Sequence, residues 1–345
     1  MSRRVLVVGA GPVGLGLAHG LHVRGAEVAV VERAPELTEV GWAISLTDRH
    51  HKALDQLGLP PGLWQRDLMV REYIFDAHTS VPVDTMPSYP GMLLERSVLQ
   101  TRLLDPVRDL VRTGTTPAAV EDDGITVGVR FDDGTTGEYD AVIGADGVRS
   151  WIRLNVLGGP APFDIGCTVM RFRLPNKIGV TFAARTTPVQ GSRLAYFLID
   201  GGKTLHCMVF INDPARRHRD TRLSALAERF AGLQGPLGYV VEAMRSDPDH
   251  LAVDIEQVTT TVWARGRVAI AGDAAHAMSP ALGQGGGAGL EDAAVLSDLL
   301  TAPGLPVEQA LSGYERLRRP AAQELQYRSF NAARDLVPPP LKALM

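Results

Sequence analysis

The run Gly9-x-Gly11-x-x-Gly14 narrows most sharply what this chain can fold into. It follows the apolar stretch Val5-Leu6-Val7-Val8 and opens a segment, 12–24, that reads as a helix stopping at Gly25. Val28-Ala29-Val30-Val31 then reads as a second buried strand. Strand, helix and strand make a βαβ unit, which requires a parallel sheet with a right-handed crossover. The three glycines serve a tight turn, a close approach of backbone to a pyrophosphate, and close helix–strand packing. The free N–H groups and positive dipole end of the helix favour the phosphates. Glu32 closes the second strand 18 residues past Gly14. A carboxylate at roughly 20 residues is expected to bind a ribose hydroxyl and to disfavour a 2′-phosphate. Gly9, Gly11, Pro12, Gly14, Glu32 and the adjacent Arg33 are therefore candidate contacts to a dinucleotide. A glycine-rich turn beside a surface glutamate is the plain alternative.

Arg3 and Arg4 before an uncharged run resemble the start of a signal peptide, but Gly9, Gly11, Pro12, Gly14, Gly16 and Gly20 interrupt it. No other run approaches the ~20 apolar residues of a membrane span. Net charge is −4, with 35 basic and 39 acidic residues, so nucleic acid is a poor expectation. The two cysteines, Cys167 and Cys207, offer no disulfide framework, which fits a reducing, cytoplasmic location. At 345 residues two domains are expected.

Helices are expected at 48–57, at 95–112 with a break at Pro106, at 221–231, 236–245 and 286–301, and at 307–334 with a break at Pro320. Residues 125–131 and 135–139 read as a hairpin, 141–143 and 268–270 as buried strands. Between them, 169–174, 179–184, 193–199 and 204–211 read as strands of an antiparallel sheet. The fold class is α/β: a nucleotide-binding domain in three pieces (1–68, 94–160 and 255–345) with an antiparallel sheet domain (69–93 and 161–254) inserted.

Three further motifs carry a resemblance. Gly144-Ala145-Asp146-Gly147-Val148-Arg149-Ser150, with Arg153 beyond, is similar to the second fingerprint of the aromatic-hydroxylase-type flavoprotein monooxygenases, the group of para-hydroxybenzoate hydroxylase. Gly272-Asp273-Ala274-Ala275-His276, then Pro280, Gly283-Gln284-Gly285 and Glu291-Asp292-Ala293, resembles their third. Arg96, in Leu94-Glu95-Arg96-x-x-Leu99, stands where that family has an arginine over the flavin phosphates. The motifs occur in the family's order and span the chain.

The resemblance implies a glutathione-reductase-type, Rossmann-like FAD domain binding FAD non-covalently. It places Asp273 on a hydroxyl of the ribityl chain or nearby linker, and Gly283, Gln284 and Gly285 along the flavin's N1/O2 edge at a helix N-terminus, with Gly272 and Gly286 among the cofactor contacts. Pro280 would line the ring without adding a proton donor, Asp146 and Arg149 would lie between flavin and nicotinamide sites, and Gly41-Trp42-Ala43-Ile44 would pass the pyrimidine edge by its backbone. The glycines at 285–287 are a costly way to begin a helix, which suggests contact with something. The family frequently has a larger polar residue where Gly287 stands, so Gly287 would enlarge the space beside the ring or loosen it.

The implied activity is hydroxylation or epoxidation of an aromatic or polycyclic small molecule through a flavin C4a-hydroperoxide, with NADPH or NADH as transient co-substrate and O2 as oxidant. Substrate is expected between the flavin and the inserted sheet, beside Arg171, Arg173, Tyr196, His206 and Met208. The flavin centres the chemistry, so no protein acid or nucleophile is assigned, and no metal is expected. The chain is expected to act as a monomer or homodimer. A disulfide reductase is excluded by the absence of a C-x-x-C pair, and a flavin halogenase by the absence of Trp-x-Trp-x-Ile-Pro. A C=C reductase of the same fold and a flavin-binding sensor without turnover stay open.

Overall fold

In the computed structural model, residues 2–37, 43–59, 71–86, 91–212 and 221–334 are described. The chain opens with β1 (Arg4–Val8), α1 (Pro12–His22) and β2 (Glu27–Val31). The two strands pair in parallel, Val5 beside Val28 and Val8 beside Val31. Pro12 stands in the first turn of α1, where its missing N–H is no loss. Gly25, at φ +83°, closes α1 with its N–H on the His22 carbonyl.

A ribbon and helix follow: β3 (Ala43–Thr47) and α2 (Asp48–Gln56). Next come β4 (Glu72–Phe75), β5 (Pro82–Met86), β6 (Gly91–Glu95) and α3 (Arg96–Leu104). Helix α3 gives way at Pro106 to a 3₁₀ turn, Asp105–Leu110. The expected helix stops there: β7 (Val111–Arg112) is instead a short edge strand parallel to β2. A three-stranded meander comprises β8 (Pro117–Asp122), β9 (Val127–Phe131) and β10 (Thr136–Tyr139), one strand more than the expected hairpin. β11 (Ala141–Gly144) then pairs with β1.

The long strands are β12 (Phe163–Pro175), β13 (Ala183–Thr186), β14 (Ser192–Ile199) and β15 (Thr204–Asn212). Only the end of the expected strand at 179–184 forms. Before it the chain turns, and Asn176 holds the turn by donating to the Val180 and Gly202 carbonyls and accepting the Val180 N–H. α4 (Leu223–Ala227) is short, continued by a 3₁₀ turn, and α5 (Gly235–Arg245) follows. The remaining elements are β16 (His250–Gln257), β17 (Ala264–Arg265), β18 (Val268–Ile270), α6 (Asp273–His276), α7 (Gly285–Thr301) and α8 (Val307–Arg334).

Pro320 does not break α8, contrary to expectation. It lies on the exposed side, and the carbonyl it leaves unpaired belongs to the equally exposed Arg316. Buried Leu311 and Tyr314 before it and Ala322 and Leu325 after it hold both halves to one surface.

Two sheets organise the molecule. The six-stranded sheet runs β17-β18-β11-β1-β2-β7, parallel at its centre. Its Val5, Leu6, Val142, Ile143, Ala269 and Ile270 are buried on both faces, in one core with residues of α1 and α7. Those helices approach closely because Gly16 and Gly20 leave room for Leu290 and Ser297; a Cβ on Gly20 would lie 2.5 Å from Ser297 Oγ. The seven-stranded sheet runs β16-β12-β15-β14-β13-β4-β5. One face (Met170, Phe172, Tyr196, Cys207) packs on α4 and α5 around Phe230 and Leu237. The opposite face (Val169, Met208, Phe210) packs on Ala281 and Phe330, so it meets the segments following β18.

Candidate flavin site

The three glycines of the first loop are differently constrained. A Cβ on Gly14 would sit 1.9 Å from Gly9 O, and one on Gly9, at φ +106°, would sit 2.4 Å from Ala145 O. A Cβ on Gly11 would meet nothing within 4 Å. Gly9 and Gly14 are thus internal packing positions, while Gly11 faces open space, as backbone approached by a phosphate must. Glu32 accepts the Ala10 N–H on Oε2 at 2.8 Å and the Ala34 N–H on Oε1 at 3.0 Å. Its carboxylate is fixed beside the loop and keeps lone pairs for a hydroxyl donor. Arg33 is exposed beside it. Beyond β2 opens a cleft of about 410 Å³ lined by Pro35, Leu37, Gln100, Leu104, Val111 and Thr113.

The β3–β6 ribbon pairs Ile44 with Leu94 and Ala43 with Glu95, which carries Arg96 to the ribbon's end. Arg96 makes no hydrogen bond or ion pair with the other described residues. Gly41 and Trp42 lie outside the described residues.

Gly272 stands at φ +61° before α6, and its N–H donates to Asp292 Oδ2 at 3.0 Å. Asp273 is exposed among buried Gly272, Ala274, Ala275 and His276, and its carboxylate binds no other described residue. A free carboxylate in an otherwise buried loop fits a hydroxyl-bearing ligand. Asp292 is fully buried and accepts from His276 Nε2 at 2.5 Å and Arg318 Nε at 2.8 Å. Burial alone would raise this carboxyl; His276 and Arg318 outweigh it and hold it below the usual range. His276 stacks on Trp263, ring centroids 5.1 Å apart. The Asp292 of the third motif is therefore the anchor of the Asp273 loop.

Pro280 opens a 3₁₀ turn capped by Ser279, whose Oγ accepts the Ala281 N–H. Gln284 and the glycines then begin α7. The glycines leave no gap along the directions their side chains would take. A Cβ on Gly285 would press on Met278 at 3.3 Å and one on Gly286 on Ile44 Cδ1 at 2.5 Å. One on Gly287 would lie 2.2 Å from the His50 ring, so the space expected beside Gly287 is already filled. Gln284 Oε1 accepts from Arg49 Nη2 at 3.4 Å, and Arg49 also pairs with Glu291 at 2.9 Å. Sequence reasoning did not single out Arg49, His50 or Arg318; no local motif distinguishes them.

Asp146 holds the loop of the second motif. Its Oδ2 accepts the Trp151 and Ile152 N–H groups at 2.6 and 3.2 Å, so the carboxylate caps the following turn. Arg149 pairs with Glu256 at 3.0 Å on the surface. Arg153, wholly buried, donates to the carbonyls of Val148, Pro160 and Ala274, tying the second motif to the third.

On the seven-stranded sheet, Arg171 pairs across with Met208, and Arg173 with His206, which places all four on the face turned to Ala281. Burial pushes His206 down to about 3, with Arg171 and Arg173 adding repulsion. Burial also lowers the Arg171 guanidinium, which faces Arg96. Tyr196 belongs to the other face. It pairs with Cys207, packs near Phe182 in the helix-covered core, and is a correction to the expected set. The same face as Arg171 carries a buried group that sequence reasoning missed: Glu72 pairs with Arg185 at 3.0 Å, and Arg193 lies beside them. Their alternation in step with Arg171 was the available signal.

A family model described as an FAD binding domain matches residues 2–329. The chain is 32% identical to a 3-amino-4-hydroxybenzoate 2-monooxygenase of Streptomyces platensis, over 94% of this chain and 86% of that protein. It is 30% identical to 2-heptyl-3-hydroxy-4(1H)-quinolone synthase of Pseudomonas aeruginosa, over 86% of this chain and 80% of that protein. Klebsiella pneumoniae HpxO, solved with FAD and uric acid, superposes with a TM-score of 0.85 at 26% identity, over 96% of this chain and 88% of that one. With these matches and the geometry of the Gly11 and Asp273 loops, the chain belongs to the FAD-dependent aromatic-hydroxylase-type monooxygenases and is an oxidoreductase whose cofactor is FAD.

Proposed function

We propose that this protein uses NAD(P)H and O2 to hydroxylate an aromatic small molecule held between the Pro280 turn and the seven-stranded sheet. The observation that carries this reading is the packing of Ala281, next to Pro280, against Met208 and Phe210. The turn assigned to the flavin ring thereby adjoins an apolar sheet face bordered by Arg171 and His206. In this reading Gly11 admits the pyrophosphate, Glu32 and Asp273 accept ribose and ribityl hydroxyls, and the cleft past Glu32 takes the adenine end. Arg96 faces the phosphates, and the backbone of Ile44 and of Gly283–Gly286 borders the pyrimidine edge. Bound FAD supplies hydride acceptance from NAD(P)H and activation of O2.

The chain's own residues bind, orient and exclude water. Met208, Phe210 and Phe197 form a dry wall for an aromatic ring. His206, neutral and buried, offers a polar ring nitrogen without adding charge. The relatives' names mention aminohydroxybenzoate, a quinolone and urate, all electron-rich rings, which suits the same class here.

Incubation with NAD(P)H and ¹⁸O₂ against a panel of such rings tests the proposal. Incorporation of one labelled oxygen is expected. Product formation without oxygen uptake would instead indicate a reductase and contradict the reading.

A further inference from the structure

The N-terminal turn of α7 is gripped by three side chains from three elements: Met278 against Gly285, Ile44 against Gly286 and His50 against Gly287. The tightest of these is His50. Its ring is wholly buried; its Nδ1 accepts the Thr47 N–H at 3.0 Å, and its Nε2 lies 3.3 Å from Arg49 Nε and 3.9 Å from Glu291 Oε1. The ring cannot swing aside without giving up that bond, because His50 sits in the first turn of α2. Burial, with Arg49, His51 and Arg318 adding repulsion, keeps it uncharged at neutral pH. Neutrality matters at this place, since a cation would oppose the positive end of α7. The first-turn N–H groups of a helix have no intrahelical partner and serve a ligand only when held still.

We propose that His50 is a positioning residue: a neutral wedge that fills the volume a side chain at 287 would occupy and fixes the first turn of α7 toward the flavin. This rests on the assignment of that turn to the flavin edge. The pair is a size exchange, so the two positions must depend on each other. His50→Ala opens a void and frees the turn. Gly287→Ala drives a methyl into the ring. Together each substitution relieves the other.

The test uses the full chain, with FAD stripped and titrated back by fluorescence, and the thermal midpoint of the apoprotein. His50→Ala is expected to raise the Kd for FAD about tenfold and to alter the visible spectrum of the bound flavin. Gly287→Ala is expected to lower the apoprotein midpoint by about 5 °C, and His50→Ala/Gly287→Ala to recover part of both losses. Asp273→Ala serves as the reference. If it loses FAD while His50→Ala keeps the unaltered Kd and spectrum, His50 only packs and the proposal is overturned. If neither variant changes FAD binding, the site assignment itself fails and the proposal falls with it. Single variants whose losses simply add in the double variant would also overturn it.

Discussion

Glu32 holds the Ala10 amide at 2.8 Å, so the acidic end of β2 and the glycine loop after β1 form one rigid unit before any ligand arrives. Replacing Glu32 by Gln turns one acceptor oxygen into a donor beside an N–H. The loop loses its fixing bond, and a ribose hydroxyl loses a charged acceptor. The Kd for FAD is expected to rise about tenfold or more, read by fluorescence titration of the apoprotein. An unaltered Kd would remove Glu32 from the site.

Asp292 is the most consequential buried charge in the third motif. Asp292→Ala leaves Arg318 and His276 facing an empty acceptor and frees the Gly272 amide. Breaking such a buried set typically costs about 3–5 kcal/mol. Denaturant unfolding of the variant should show a loss of that order, with FAD retention falling alongside because the Asp273 loop is no longer held. A loss under about 1 kcal/mol, the range of an exposed pair, would contradict the anchoring role.

Acid should weaken the fold through two histidines. His50 and His206 are each held down at about 3 by burial. The unfolded chain, titrating near 6.5, binds more protons than the folded one between those values. The stabilisation is therefore complete above about pH 6.5 and is lost as pH falls toward 3, at roughly 1.4 kcal/mol per pH unit for each ring. Urea unfolding at pH 7 and pH 5 measures the slope. His206→Phe should make it shallower by about one proton; an unchanged slope would show that His206 does not titrate in this way.

Arg171 and Tyr196 make a contrasting pair on the two faces of one sheet. Arg171→Gln is expected to raise KM for the aromatic substrate about tenfold while leaving the Kd for FAD unaltered. Tyr196→Phe should leave KM unaltered. The Tyr196 hydroxyl is buried without a partner among the described residues, so its removal is neutral or slightly stabilising. An effect of Tyr196→Phe on KM with no effect of Arg171→Gln would reverse the assignment of the faces.

The parts legible in the sequence are those that local rules dictate. The glycine loop, its strand and helix, and the residues 268–270 strand follow from apolar runs and turn residues that allow one local solution. The alternation that places His206 and Met208 together is equally local. What sequence could not show depends on contacts between distant segments. His50 meets Gly287 and Arg318 meets Asp292 only after α2, α7 and α8 dock. Tyr196 was misplaced because alternation fixes which residues share a face but not which face is covered by α4 and α5. The turn-capping bonds of Asp146 could not be read either, because a carboxylate that caps a turn and one that meets a ligand look alike in sequence. Pro320 broke the local rule for helices because packing on both sides of it outweighs one lost hydrogen bond.

The most direct test of the account is the visible spectrum of the purified protein during anaerobic addition of NADPH or NADH, followed by admission of O2 with an aromatic substrate. The account predicts the two absorption bands of oxidised flavin, their bleaching by the reductant, and their return on aeration with one oxygen atom entering the substrate. A colourless protein that takes up no added FAD, or a bound flavin that reoxidises without oxygen transfer to any ring tested, would contradict it.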